Sequence, residues 1–358
     1  MISLNTSVCK LIGIDYPIIQ AGMAGGPTTV ELVVAVSEAG GLGTLGAAYM
    51  EPEALRNAIT EIKNRTSKPY AVNFFAVEMK DDFSRLEEVQ PLLAPFRTEL
   101  GLGEEPSALS SSDWSNEQFE ICLELEVPVV STAFGCLSPE QMKRAKNQGI
   151  KTIAMATTVE EAKMAERTGV DAIVAQGSEA GGHRSTFSLD RHPYGAQIGT
   201  ISLVPQMVDA VGIPVIAAGG IVDGRGLVAS LVLGAQAVQI GTRFLSSKES
   251  AAHDVYKQAL FASTEESTVI TKSFSGRPAR GIKNRFIEEF ERAKVEPLPF
   301  PSQNTATKDI RAAAAKAGNP QFMSLWAGQT TRMLKSEMAS ADIVRAIMEE
   351  AEQLCSIN

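Results

Sequence analysis

Three glycine-rich stretches carry most of the residues able to do chemistry. The first, Gly177-Ser178-Glu179-Ala180-Gly181-Gly182-His183, ends on one of only three histidines in the chain. Imidazole titrates near neutrality, so a histidine in a polar, permissive loop suits removal of a proton from an acidic C–H. A lone histidine also serves as a plain surface or hydrogen-bonding group, and position alone does not separate the two. Glu179 either orients that ring or caps the backbone that follows. The other two stretches are Ala217-Ala218-Gly219-Gly220 and Gln239-Ile240-Gly241-Thr242. Without a Cβ, glycine lets backbone N–H groups approach a ligand closely, and such groups hold phosphate. The amides of Asn73 and Gln176 can pair donors and acceptors with a planar heterocycle. Amides and glycine cradles together favour a bound cofactor over a bare hydrolytic pocket.

Several chemistries are disfavoured by what the chain lacks. Cys9, Cys122, Cys136 and Cys355 are far apart and contain no CxxC pair, so neither a disulfide framework nor a zinc site is expected. With so few histidines, no metal centre is expected either. His192 and His253 are less well placed than His183, and His253 reads as an ordinary helix residue. No GxGxxG follows the first strand and no GxxxxGK[ST] occurs, which removes the usual dinucleotide and P-loop explanations. The net charge of -9 over 358 residues argues against a nucleic-acid or anionic-membrane surface. The first residues have no basic segment before an apolar one, and no apolar run reaches about 18 residues. A cytoplasmic protein is expected.

The elements that must position these groups repeat along the chain. Short β-branched runs are expected as strands at Tyr16–Gln20, Leu42–Leu45, Tyr70–Phe75, Val127–Thr132, Thr152–Ala156, Ala172–Gln176, Pro214–Ala218 and Ala237–Gly241. Helix-compatible segments such as Thr28–Ala39 and Pro52–Lys63 follow most of them. Continuous apolar runs suit parallel strands buried on both faces. Eight such units specify an α/β fold, a (β/α)8 TIM barrel, with a doubly wound sheet as the alternative. Residues 1–245 then form the barrel, 246–310 a small substrate-binding subdomain over one mouth, and 311–358 the C-terminal helices that complete the barrel. Residues 78–126 are an elaborated crossover or simply a solvated insertion. The chemical groups fall at the C-terminal ends of the strands, where barrel enzymes build their sites, and the phosphate loops follow strands seven and eight.

The chain resembles the flavin-dependent nitronate monooxygenases over essentially its whole length. The matching pieces are YPIIQAGMAGG at 16–26, AGGLGTLGA at 39–47, NFF at 73–75, QGSEAGGH at 176–183, LVPQ at 203–206, AAGGIVDGRG at 217–226, LGAQAVQIGTRF at 233–244 and SGRPAR at 275–280. QGSEAGGH followed by AAGGIVDGRG and QIGTRF is the specific part. The resemblance implies non-covalent FMN, oxidation of alkyl nitronates by dioxygen to a carbonyl compound and nitrite, and His183 as the base. It implies flavin contacts from Asn73, Gln176, Gly181, Gly182, Gly219, Gly220, Gln239, Ile240, Gly241 and Thr242. Met23 packs beside the flavin ring or in the core. The small domain closes the pocket against water. The nearest rival is the FMN- and NAD(P)H-dependent enoyl-acyl carrier protein reductases, which share the barrel and an EAGGH-like loop.

Overall fold

Three prolines decide where the first, fourth and seventh barrel strands begin. Pro17, Pro128 and Pro214 lack the N–H that a ladder needs, so regular pairing starts one residue later. Their carbonyls still accept from the neighbouring strand: Val238 N–H donates to Pro17, Lys151 to Pro128 and Ile173 to Pro214, at 2.9 to 3.0 Å. The computed structural model describes residues 3–107 and 109–356. Its strands are β1 (Ile18–Gln20), β2 (Gly43–Gly46), β3 (Tyr70–Phe75), β4 (Val129–Ala133), β5 (Lys151–Ala156) and β6 (Ala172–Gln176). They continue with β7 (Gly182–His183), β8 (Val215–Ala218), β9 (Ala237–Ile240), β10 (Thr268–Thr271) and β11 (Ala279–Ile282).

Eight of these form one parallel sheet in the order β1-β9-β8-β6-β5-β4-β3-β2. The two ends of that order meet through a parallel bridge between Ile19 and Leu42. The seam is reinforced by the fully buried amide of Gln20. Its Nε2 donates to the Thr44 carbonyl at 3.2 Å and its Oε1 accepts the Thr44 N–H at 2.9 Å. This is the (β/α)8 barrel, and all eight expected strands are present.

Ile19, Leu42, Ala71, Val129, Ile153, Ala172 and Ile216 fill the barrel, and Val8, Cys9 and Ile12 of the helix Ser7–Ile12 pack onto that cluster. Between strands and outer helices lies a larger apolar layer that includes Leu32, Val33 and Val36. Thr29 caps the helix Val30–Glu38 by accepting from Leu32 N–H. The helix Ser340–Ser356 packs against Gly224–Val232 and Val30–Glu38, closing the outer ring. A Cβ on Gly224 would stand 2.6 Å from Ala351 N, which is why the two helices can come so close.

A second apolar cluster lies beside the C-terminal ends of the strands, taking in Met23, Val222 and Leu245 from just after β1, β8 and β9. It joins Val89, Leu93 and Phe96 of the helix Leu86–Glu99 to Phe274, Phe286, Phe290, Ile310, Ala314, Phe322 and Leu325. Arg97, fully buried, pairs with Asp309 at 3.0 Å and so ties the 86–99 helix to the later segment. The apolar side chains on both sides of residue 310 pack together here. Among the described residues after 317, Ser340–Ser356 is the one long helix; Pro320–Phe322 and Thr331–Met333 are single 3-10 turns. His253 stands just before the helix Asp254–Ala262 rather than inside it, and its Nδ1 accepts from Val255 N–H as the cap.

Candidate active site

The loop after β6 does not wander; it returns as β7 and pairs antiparallel with β11. Ala279 stands opposite His183 and Arg280 opposite Gly182. The expected catalytic loop and the SGRPAR segment, about ninety residues apart in sequence, thus share one small sheet with β10. Two residues carry no periodicity, so β7 had no signal in the sequence. Gln176, the last residue of β6, clamps the return: its Nε2 donates to the His183 carbonyl and its Oε1 accepts from Ser185 N–H, both at 2.9 Å. Arg184, fully buried, donates to the carbonyls of Gly177 (2.6 Å), Gln176 (2.8 Å) and Ala196 (3.1 Å). Of the two roles open to Glu179, the structure takes the cap: its carboxylate accepts from the N–H and hydroxyl of Thr200, opening the helix Thr200–Ala210.

His183 therefore projects from a doubly braced strand. Its Nε2 is 2.9 Å from Ser275 Oγ. Its ring meets those of Trp326 at 5.4 Å, Phe134 at 5.8 Å and Phe300 at 6.3 Å between centroids. Phe75 and Tyr49 extend this aromatic wall. Phe134 holds a left-handed φ of 70°, an unfavoured state for a bulky residue that places its ring against His183. Tyr49 keeps 37% of its surface exposed, yet burial raises its phenol to about 12 against the pull of Arg311 and Arg277. With that surface exposed, the Tyr49 ring borders the open side of a cleft walled by Phe75, Phe134 and Phe300.

The charges that act on His183 are both cationic. Arg277 lies over the Phe134 ring at 4.0 Å and donates to the Thr186 carbonyl; Arg311 donates to the carbonyl and side chain of Asn304. Among the described residues neither forms an ion pair, and the Nε of each is buried without a partner. Burial lowers the proton affinity of both, Arg277 to about 10. Burial also lowers the pKa of His183, to about 3, with Arg277 and Arg311 adding to the effect. The imidazole is thus neutral, and the space beside it favours an anion.

The phosphate-type loops lie at the same barrel end. Gly219 and Gly220 have φ of 110° and 74°, and a Cβ on Gly219 would stand 2.9 Å from Ala180 N. Among the described residues no protein acceptor takes the N–H of either glycine, so a cradle of free donors is present. Gly241 and Thr242 follow β9; Ile240 is buried and offers only its backbone, while Gln239 is half-exposed. The Thr242 hydroxyl accepts from Gly328 N–H at 3.0 Å. Gly182 (φ 74°) faces open space, whereas a Cβ on Gly181 would strike Gly328 N at 2.5 Å, so Gly181 also serves backbone packing. Asn73 donates to Ser131 Oγ at 2.9 Å on the neighbouring strand. Met23 touches both the barrel layer and the second cluster. A glycine cradle, buried amides and an apolar wall fit a phosphate-bearing planar cofactor. Among the described residues no group of three or more His, Cys, Asp or Glu could hold a metal, and no helix is long and apolar enough to cross a membrane.

Comparison with known proteins gives a consistent result. The family model for nitronate monooxygenase matches residues 5–350. A probable nitronate monooxygenase of Staphylococcus saprophyticus is 44% identical over 352 residues, 98% of this chain and 99% of that protein. One from Staphylococcus aureus is 44% identical over 346 residues, 96% of this chain and 97% of its own. Among solved structures, a nitroalkane oxidase from Streptomyces ansochromogenes superposes with a TM-score of 0.90 at 37% identity, covering 98% of this chain and 99% of the other. FabK from Thermotoga maritima superposes with a TM-score of 0.78 at 32% identity, covering 99% and 98%.

Proposed function

This chain belongs to the nitronate monooxygenase family and is an oxidoreductase of that kind, and from that premise we propose that it oxidises alkyl nitronates with dioxygen, on non-covalently held FMN, to a carbonyl compound and nitrite. What supports this most is the placement of His183: a neutral imidazole in an aromatic cleft beside two arginines that form no ion pair among the described residues, at the barrel end that carries the glycine cradle. Gly219, Gly220, Gly241 and Thr242 would hold the FMN phosphate, helped by the backbone of Gln239 and Ile240. Met23, Asn73, Gln176, Gly181 and Gly182 would border the flavin ring; one Nε2 hydrogen and one Oε1 lone pair of Gln176 remain for that purpose. Bound FMN supplies the electron acceptor.

The chain's own residues do the rest. Arg277 and Arg311 attract the negative charge of the nitronate, in a cleft where low dielectric strengthens the attraction. The rings of Phe75, Phe134, Phe300 and Trp326 keep water from the reacting carbon. For a neutral nitroalkane, His183 first takes the α-proton; a preformed nitronate skips that step. The four cysteines are free thiols, which suits a reducing compartment, and the cytoplasm is the proposed location.

The likeness to FabK favours a second reading, reduction of an enoyl thioester by NAD(P)H on the same cofactor. One paired assay separates them: oxygen uptake and nitrite release with ethyl or propyl nitronate, against NAD(P)H oxidation with an enoyl thioester. Nitrite formation without nicotinamide consumption is expected. The reverse result transfers the protein to the reductase reaction, and purification with FAD or without flavin overturns the cofactor assignment.

A further inference from the structure

We propose that Ser275 is the positioning residue for His183: it accepts a hydrogen bond from Nε2–H and leaves Nδ1 as the ring nitrogen that takes the substrate proton. The proposal rests on His183 being the C–H base. It also gives a purpose to the SGRPAR segment, whose first residue is otherwise unexplained.

The assignment follows from counting donors and acceptors at one buried hydroxyl. Ser275 is 1% exposed, so water does not share its bonds. Three protein groups surround its Oγ: the Arg277 carbonyl at 3.0 Å, the Arg277 N–H at 3.3 Å and His183 Nε2 at 2.9 Å. A serine hydroxyl has one hydrogen to give and two lone pairs. The carbonyl can only accept, so it takes the hydrogen. The N–H can only donate, so it takes one lone pair. The remaining lone pair needs a donor, which requires hydrogen on Nε2 and therefore a bare Nδ1. Among the described residues Nδ1 has no hydrogen-bond partner; Phe134, Phe300 and Trp326 surround the ring, and the nearby charges are those of Arg277 and Arg311.

Ser275 is itself fixed. Its N–H and that of Gly276 donate to the Lys272 carbonyl at 3.2 and 2.7 Å. Gly276, at φ 79°, allows the turn to lie against residues 298–300, where any Cβ would meet Leu298 O at 2.2 Å. The arrangement has a chemical advantage. When a substrate C–H breaks, its electron pair stays on the substrate as the nitronate and the proton goes to Nδ1. The Nε2–H bond to Ser275 is the same before and after, so proton uptake needs no reorganisation. The imidazolium, opposed by two arginines, then passes the proton to water.

The test uses the FMN-bound protein carrying ¹⁵N-histidine. Long-range ¹H–¹⁵N correlation reads which ring nitrogen bears hydrogen, and His183→Asn identifies the His183 signals by their loss. The Nε2–H tautomer is expected in the wild-type protein and in Ser275→Thr. In Ser275→Ala the ring should become a mixture of tautomers, with kcat on a neutral nitroalkane falling about 10- to 100-fold, part of the general-base factor. FMN affinity should hold, and oxidation of preformed nitronate should fall far less than nitroalkane turnover. An Nδ1–H tautomer in the wild type overturns the proposal without any variant. So does a Ser275→Ala protein with tautomer and kcat intact. The Nε2–H form in an enzyme that turns over no nitroalkane supports the hydrogen bond and counts instead against the assigned reaction.

Discussion

At the scale of single residues, the proposed chemistry of the cleft turns on a weak base among strong cations. With a pKa held near 3 by burial and by Arg277 and Arg311, His183 meets every physiological substrate in its neutral form. Asparagine at this position keeps some hydrogen bonding but cannot take a proton near neutral pH. Turnover of a neutral nitroalkane by His183→Asn should fall on the order of 10² to 10⁴, and nitronate oxidation far less, at matched FMN occupancy. Equal losses on both substrates would reduce His183 to an orienting group. The same shift has a stability consequence. Between pH 3 and the ordinary 6.5 the unfolded chain binds a proton that the folded chain refuses, so stability falls as pH drops through that window. At pH 5 this amounts to about 2 kcal/mol. Urea midpoints at pH 7.5 and 5 should show that loss in the wild type and not in His183→Asn; parallel losses would mean that the folded ring titrates normally. His183 itself was legible in the sequence because its glycine-rich loop singles it out. Tyr49, Phe134, Phe300, Trp326 and Arg311 were not, since they lie in unrelated segments with no common spacing. Ser275 and Arg277 stood in a visible motif, but only the fold shows what they face.

At the scale of elements, the barrel strands could be read because parallel strands buried on both faces leave contiguous apolar runs. Their starts slipped where a proline opens the strand. The two-residue β7 left no trace, although it is the element that carries His183, the proposed base. Its partner segment depends on a glycine whose role differs from that of a neighbour with the same backbone. Gly182 and Gly276 have φ of 74° and 79°, but a Cβ on Gly182 meets nothing within 4 Å, whereas one on Gly276 strikes the Leu298 carbonyl. Gly182→Ala should cost about 1 kcal/mol of left-handed strain. Gly276→Ala adds a backbone collision and should cost several times as much, about 3 kcal/mol or more. Thermal unfolding of the two variants makes the comparison. Similar losses would show that the 298–300 segment yields easily.

At the scale of the whole molecule, two apolar cores meet around one cleft, and Met23 touches both. The sequence showed the surplus of chain after β9 but not how the 86–99 helix joins it, because the tie is a contact between Arg97 and Asp309 across 212 positions. The pairing of β7 with β11 bears on how this assembly works over time. A cover that swings on a hinge must be free of the floor it covers. Here the strand holding His183, the proposed base, pairs with β11 of the later segment, so a wide opening would break the pairing that braces it. This sharing favours ligand exchange by local side-chain breathing, a motion that displaces little solvent. Steady-state turnover should accordingly be insensitive to added sucrose or glycerol, and a rate that falls in proportion to viscosity would show that large-amplitude diffusion of the cover governs the cycle after all.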